Sequence, residues 1–145
     1  MRRLLRLAAA AVLLAAMTGC AVNKATATVD ASARLDTLKT LHVKTYDKDE
    51  HSTEKLVADN LRARGYQVTE GGQAPAGTDA LVTYVDKWFW DITMYMLELT
   101  VQIRDPKTDY PLATGYSMHT SLTRKSPKEM VDEVIGNIMK EGKAK

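Results

Sequence analysis

The sequence predicts an α+β two-layer sandwich, with a mixed or mostly antiparallel sheet and two helices on one face, in the order β-α-β-β-β-β-α. Three observations point there. From Tyr95 to Arg104, apolar Tyr95, Leu97, Leu99, Val101 and Ile103 alternate with Glu98, Thr100, Gln102 and Arg104, the period of a half-buried strand. Near the C-terminus, Ser126-Pro127-Lys128-Glu129 opens a stretch in which Met130, Val131, Val134, Ile135, Ile138 and Met139 recur at helical spacing. A second amphipathic stretch ends at Gly65. Each helix must bury its stripe, and one face of an antiparallel sheet accommodates both.

The chain does not begin with that domain. Arg2, Arg3 and Arg6 precede an apolar run from Leu7 to Met17, followed by Thr18-Gly19-Cys20. A charged zone, a short apolar zone and small residues before a cleavage point are the parts of a secretory signal over residues 1–19. The uncharged run is shorter than the roughly 20 residues a membrane span requires. Of the 20 basic residues in the 145-residue chain, three lie in this leader, so the mature part keeps 17 against 18 acidic ones. A near-neutral domain lacks the basic excess that phosphate backbones require, and no nucleic-acid partner is expected.

Cys20 is the sole cysteine, so no internal disulfide can form. Met17-Thr18-Gly19-Cys20 resembles the bacterial lipobox, with Met where Leu is commoner. The resemblance implies diacylglycerol on Cys20, cleavage just before it and acylation of the new amine. A chain bearing two or more acyl groups does not leave a bilayer readily, since each buried methylene contributes about 0.8 kcal/mol. Ala21 in second place, rather than Asp, implies delivery to the outer membrane, with the domain facing the periplasm.

Residues 20–39 are read as a lipidated N-terminus and flexible tether, and 40–145 as the single domain. Leu41 to Tyr46 alternates as a first strand. A helix is predicted from Glu50 to Arg64, capped by Asp47 with Glu50 or by Ser52, and buried through Leu56, Val57, Ala58 and Leu61. Tyr66 to Thr69 reads as a short strand and Gly71 to Gly77 as a loop. Asp79 to Trp90, Tyr95 to Arg104 and Leu112 to Leu122 form a three-strand meander, turning near Asp91 to Met94 and at Asp105 to Asp109. The last helix is predicted to close at Gly142.

This order looks like that of several small periplasmic lipoproteins and assembly-factor domains, among them the lipopolysaccharide-assembly lipoprotein and the N-terminal domain of the Tol translocation protein. Tyr84-Val85-Asp86-Lys87-Trp88-Phe89-Trp90-Asp91 and Ser121-Leu122-Thr123-Arg124-Lys125-Ser126-Pro127 resemble segments of a group of uncharacterised proteobacterial lipoproteins. That likeness implies no activity.

The candidate interaction surface comes from strand alternation. Tyr84, Asp86, Trp88 and Trp90 share one side of their strand, and Ala113, Gly115, Ser117, His119 and Ser121 form a small side of another. Large rings beside small residues would make a shallow groove on the uncovered sheet face, a docking surface anchored by Trp88 and Trp90. The alternative is that these rings are core or cover the sheet edge. No catalytic residues are assigned. Ser117 and His119 lack a nucleophile elbow, and Asp86 and Asp91 have no partner base. Only His51 with Glu54 offers ligands at helical spacing, short of the three or four that zinc requires, so neither metal nor cofactor is expected. The expected role is a non-enzymatic binding or accessory module in envelope or outer-membrane assembly, with an envelope protein as partner. Its alternatives are a carrier of a small apolar or lipid ligand, and a hydrolase.

Overall fold

The computed structural model describes residues 22–144. The leader, Cys20 and Ala21 lie outside the described residues. The chain forms β1 (Asn23–Val29), β2 (Thr40–Lys44), α1 (Thr53–Ala63), β3 (Gln67–Gly71), β4 (Ala80–Asp91), β5 (Thr93–Arg104), β6 (Pro111–His119) and α2 (Pro127–Lys143). Short 3-10 turns lie at Leu35–Thr37 and Ser121–Thr123. The six strands make one sheet in the order β1-β6-β5-β4-β2-β3. β2 runs parallel to both β3 and β4, and the other pairings are antiparallel. α1 packs on β2 and β3, α2 packs on β1, β6 and β5, and the two helices touch each other, so both cover one face. The predicted mixed α+β sandwich is the fold observed.

The main departure is at the start. Residues 23–29, assigned by sequence to the tether, form the edge strand β1, which pairs with β6 from Asn23↔His119 to Val29↔Ala113. Val29 and Leu35 are buried in the main core. The domain therefore includes residues ahead of position 40. Alternation is present in this segment, with Ala25, Ala27 and Val29 on the helix side and Lys24, Thr26 and Thr28 opposite. Alanine adds so little apolar surface that the period of two carries a weak signal.

α2 follows its sequence signature. Ser126 Oγ accepts from the Glu129 N–H, and the Glu129 carboxylate accepts from the Ser126 N–H at 2.8 Å, a reciprocal capping box. Met130, Val131, Val134, Ile135 and Ile138 are buried, and Met139 is half-buried. The helix does not stop at Gly142 but runs to Lys143. Gly142 serves instead for close approach, since a Cβ there would lie 3.0 Å from Leu35 Cδ1.

The small side of β6 has the same use. Ala113, Gly115, Ser117 and His119 face α2, and a Cβ on Gly115 would sit 2.8 Å from Val134 Cγ1 and 2.9 Å from Ile138 Cδ1. Small residues on this strand are where the helix comes closest to the sheet, which removes them from any groove on the uncovered face.

β5 keeps its predicted alternation from Leu99 to Ile103, and these inward residues are buried. A bulge then intervenes, because Lys87 pairs with Glu98 whereas Trp88 pairs with Met96, leaving Leu97 extra. Met96 becomes the core residue, fully buried, and Tyr95 goes to the opposite face.

Candidate functional site

β4 carries Tyr84, Asp86, Trp88 and Trp90 on one side, as alternation predicted, but this side faces the helices and not open solvent. The expected groove on the uncovered face is therefore corrected: three of the four residues are absorbed where α1 begins. Tyr84 is buried, with its hydroxyl donating to Asp49 Oδ2 at 2.8 Å and its ring edge-on to Tyr46 at 6.0 Å. Asp86 Oδ2 accepts from Thr53 Oγ1 at 2.6 Å and from the Trp88 indole N–H at 2.8 Å. The Trp88 ring lies 3.8 Å, centroid to centroid, from His51. This uses His51 as a lid on Trp88 and not as a partner of Glu54.

Asp49 is the organising group, and sequence reasoning missed it. Its two oxygens accept from the N–H groups of His51, Thr53 and Glu54 as well as from Tyr84. Ser52, the expected cap, sits in the left-handed region at φ 60° and makes no side-chain cap. The carboxylate of Asp49 thus satisfies the free donors at the start of α1 from outside the helix. Burial alone would raise its pKa, but the bonds from Glu54, Tyr84, Thr53 and His51 outweigh that and hold it below the ordinary carboxylate value. Burial, reinforced by the bond to Asp49, pushes the Tyr84 phenol well above its ordinary value. Three candidate caps stand within six residues of sequence, and propensity does not choose among them.

A second polar cluster lies beneath β6. Glu133 of α2 accepts from Ser117 Oγ and from Lys125 Nζ, and its Oε2 lies 2.8 Å from His119 Nε2. Among the described residues, His119 Nδ1 is buried without a partner. Ser117 and His119 converge on the same carboxylate oxygen, so the imidazole is not placed to take the serine proton, and the arrangement offers no activated nucleophile. Its work is to bind α2 to β6. Burial opposes the charge on Glu133, but the bonds from Lys125, Ser117 and His119 dominate and pull its pKa from 4.5 to about 2. A depressed folded-state value stabilises the fold above pH 4.5, and that stabilisation is lost as pH falls toward 2. Glu133→Gln is expected to cost about 3 kcal/mol at pH 7. In denaturant titrations at several pH values, its deficit against the wild type should shrink below pH 4.5.

Trp90 is different from its three neighbours. It is 66% exposed, past the reach of the helices, at the end of a hairpin where Phe89, Ile92 and Met94 are also exposed. Ile92, 88% exposed, makes the turn alone with φ 53°. A β-branched side chain at positive φ is a strained choice, and burial gives nothing back at this position. The turn is nonetheless held by contacts on either side of Ile92. Arg124, from the turn after β6, donates to Thr93 Oγ1 at 2.7 Å, approaches Asp91 at 3.9 Å and lies over the Tyr95 ring at 4.9 Å. Tyr95 in turn meets Phe89 edge-on at 6.1 Å. The result is an arm with an apolar end, and Leu122, in the turn after β6, is also 80% exposed.

A cleft of about 510 Å³ opens beside Asp49, lined by Thr45, Tyr46, Asp47, Ser52, Glu54, Lys55 and Glu70. Among the described residues no group of His, Cys, Asp and Glu could hold a metal ion.

No family model and no curated protein matches this chain. Solved structures do. A single-substitution variant of the PelC dodecamer from Paraburkholderia phytofirmans aligns with a TM-score of 0.56 at 17% identity, covering 83% of this chain and 97% of its own. The PelC dodecamer from the same organism, in another crystal form, aligns at 0.54 with 19% identity, covering 86% and 99%. A PDZ domain protein from Parabacteroides distasonis gives 0.47 at 13% identity, covering 79% of this chain and 35% of that one. The PelC structures share the fold.

Proposed function

We propose that this chain is a lipid-anchored, periplasm-facing module that acts by binding, as an accessory in envelope or outer-membrane assembly. One observation carries the reading: Met17-Thr18-Gly19-Cys20 is followed almost at once by β1, which starts at Asn23. A lipid on Cys20 would hold a folded domain directly at a bilayer, with no long leash between them. The interior polar groups at Asp49, Asp86 and Glu133 are taken up in bracing helices to the sheet, whereas the outward features are an apolar arm and two sheet edges, β1 and β3. Edges and apolar patches are features through which proteins associate.

The fold it shares with PelC, described as a dodecamer, supports a second copy of the chain as the first partner to test. In-cell photocrosslinking from Thr26 on β1 and Thr69 on β3 is the experiment. A defined adduct, to itself or to another envelope protein, is the expected result. Monomer alone from both positions, together with turnover in an ester or glycan screen, would contradict it and favour the hydrolase. A co-purifying lipid mass in native mass spectrometry would favour the carrier.

A further inference from the structure

We infer that the β4–β5 hairpin tip is a second membrane contact, inserting Trp90, Ile92 and Met94 into the headgroup region of the bilayer that holds Cys20. This rests on the lipid-anchor reading and adds to it the orientation of the domain.

The geometry follows from one rung of the sheet, on which Lys87, Glu98, Met118 and Lys24 are paired in succession across β4, β5, β6 and β1. Above that rung β4 continues for five residues to Ile92, and the N-terminal chain continues for four to Cys20. At about 3.3 Å per residue the tip stands roughly 17 Å above the rung. Fully extended, the chain carries Cys20 no more than about 14 Å above it. Both rise from the same end of the sheet, because the Val22 carbonyl is held by the Thr120 N–H at 3.3 Å and by its hydroxyl at 3.1 Å. Any bilayer that receives acyl chains from Cys20 therefore lies within reach of the tip.

The chemistry of the tip suits that location. Trp is favoured at the membrane–water boundary, where its ring is buried among lipid and its N–H stays hydrated. Shallow insertion of an apolar surface by about 5–10 Å is the depth at which interfacial elements rest. A weak membrane contact is also effective here, because the anchor makes it intramolecular. Asp91, the acidic residue at the tip, faces Arg124, so the arm does not carry an uncompensated carboxylate toward lipid. Ile92 is costly for folding at positive φ and in water, but in an interface its side chain would be buried.

The test uses the whole chain, expressed with its own leader, extracted and placed in phosphatidylethanolamine–phosphatidylglycerol vesicles containing brominated acyl chains. Acylation of Cys20 is read separately by intact mass. With Cys20 acylated, tryptophan emission should be strongly quenched by the brominated lipid, and Trp90→Phe should remove most of that quenching, leaving the small share of the half-buried Trp88. Ile92→Asn, which relaxes the turn, should melt no lower than the wild type yet show weaker quenching. Acylated protein whose Trp90 is not quenched overturns the inference while the anchor reading stands. Blue-shifted emission without quenching, the sign of cover by a second copy or another protein, overturns it equally. Unmodified Cys20 removes the anchor reading, and this orientation with it.

Discussion

Gly115→Val is expected to cost about 3 kcal/mol or more, lowering the melting temperature by roughly 10 °C. The sign of this result is informative. In an ordinary strand, valine in place of glycine stabilises, because it restricts the unfolded chain and packs on the pleated surface. At position 115 the added Cβ would lie inside 3.0 Å of both Val134 and Ile138, which are fully buried in α2. The helix must then move off β6, and with it the bonds that Glu133 makes to Ser117 and His119. Thermal unfolding of the two proteins side by side decides the matter. A variant at least as stable as the wild type would mean that α2 does not sit on β6 as described.

Asp49→Ala should have the next largest effect, about 3 kcal/mol. Part of this is the lost cap, for which about 1 kcal/mol is typical. The larger part is the Tyr84 hydroxyl, buried and left without an acceptor, at about 1–3 kcal/mol. Because the two residues share one bond, a cycle of Asp49→Ala, Tyr84→Phe and the double variant should be non-additive. Removing the hydroxyl as well should restore part of what the alanine lost. Equilibrium unfolding in urea measures all four proteins. Additive effects would show that Asp49 acts on α1 alone and does not join it to β4.

These two positions also show which parts of the molecule were legible in the residues. α2 could be read except for its end, which passes Gly142, since its cap, its first-turn proline and its stripe are local signals that act within a few residues. β5 was legible up to its bulge, because alternation reports on one face, but nothing in the pattern marks an extra residue such as Leu97. β1 was hidden by alanine, which alternates without contributing much apolar area. The choice of Asp49 over Asp47 and Ser52 depends on Tyr84, 35 residues away in sequence, and such long-range choices leave no local trace.

The candidate surface was misplaced for a related reason. Alternation correctly grouped Tyr84, Asp86, Trp88 and Trp90, but two faces of an isolated strand are equivalent until the helices choose one. Small residues on β6 then admitted α2, and large rings on β4 were drawn into the bracing of α1. Only Trp90 escapes, because the hairpin outruns both helices. Glu133 had a signal of its own: it falls three residues after Met130, on the edge of the apolar stripe, where a charge requires partners.

The proposed anchor and the proposed orientation of the hairpin both rest on acylation of Cys20. Intact-mass analysis of the native protein extracted from membranes tests this most directly. A polypeptide beginning at Cys20 and heavier than its sequence by two or three acyl chains is the predicted result. A product that still starts at Met1 with a free thiol would contradict it.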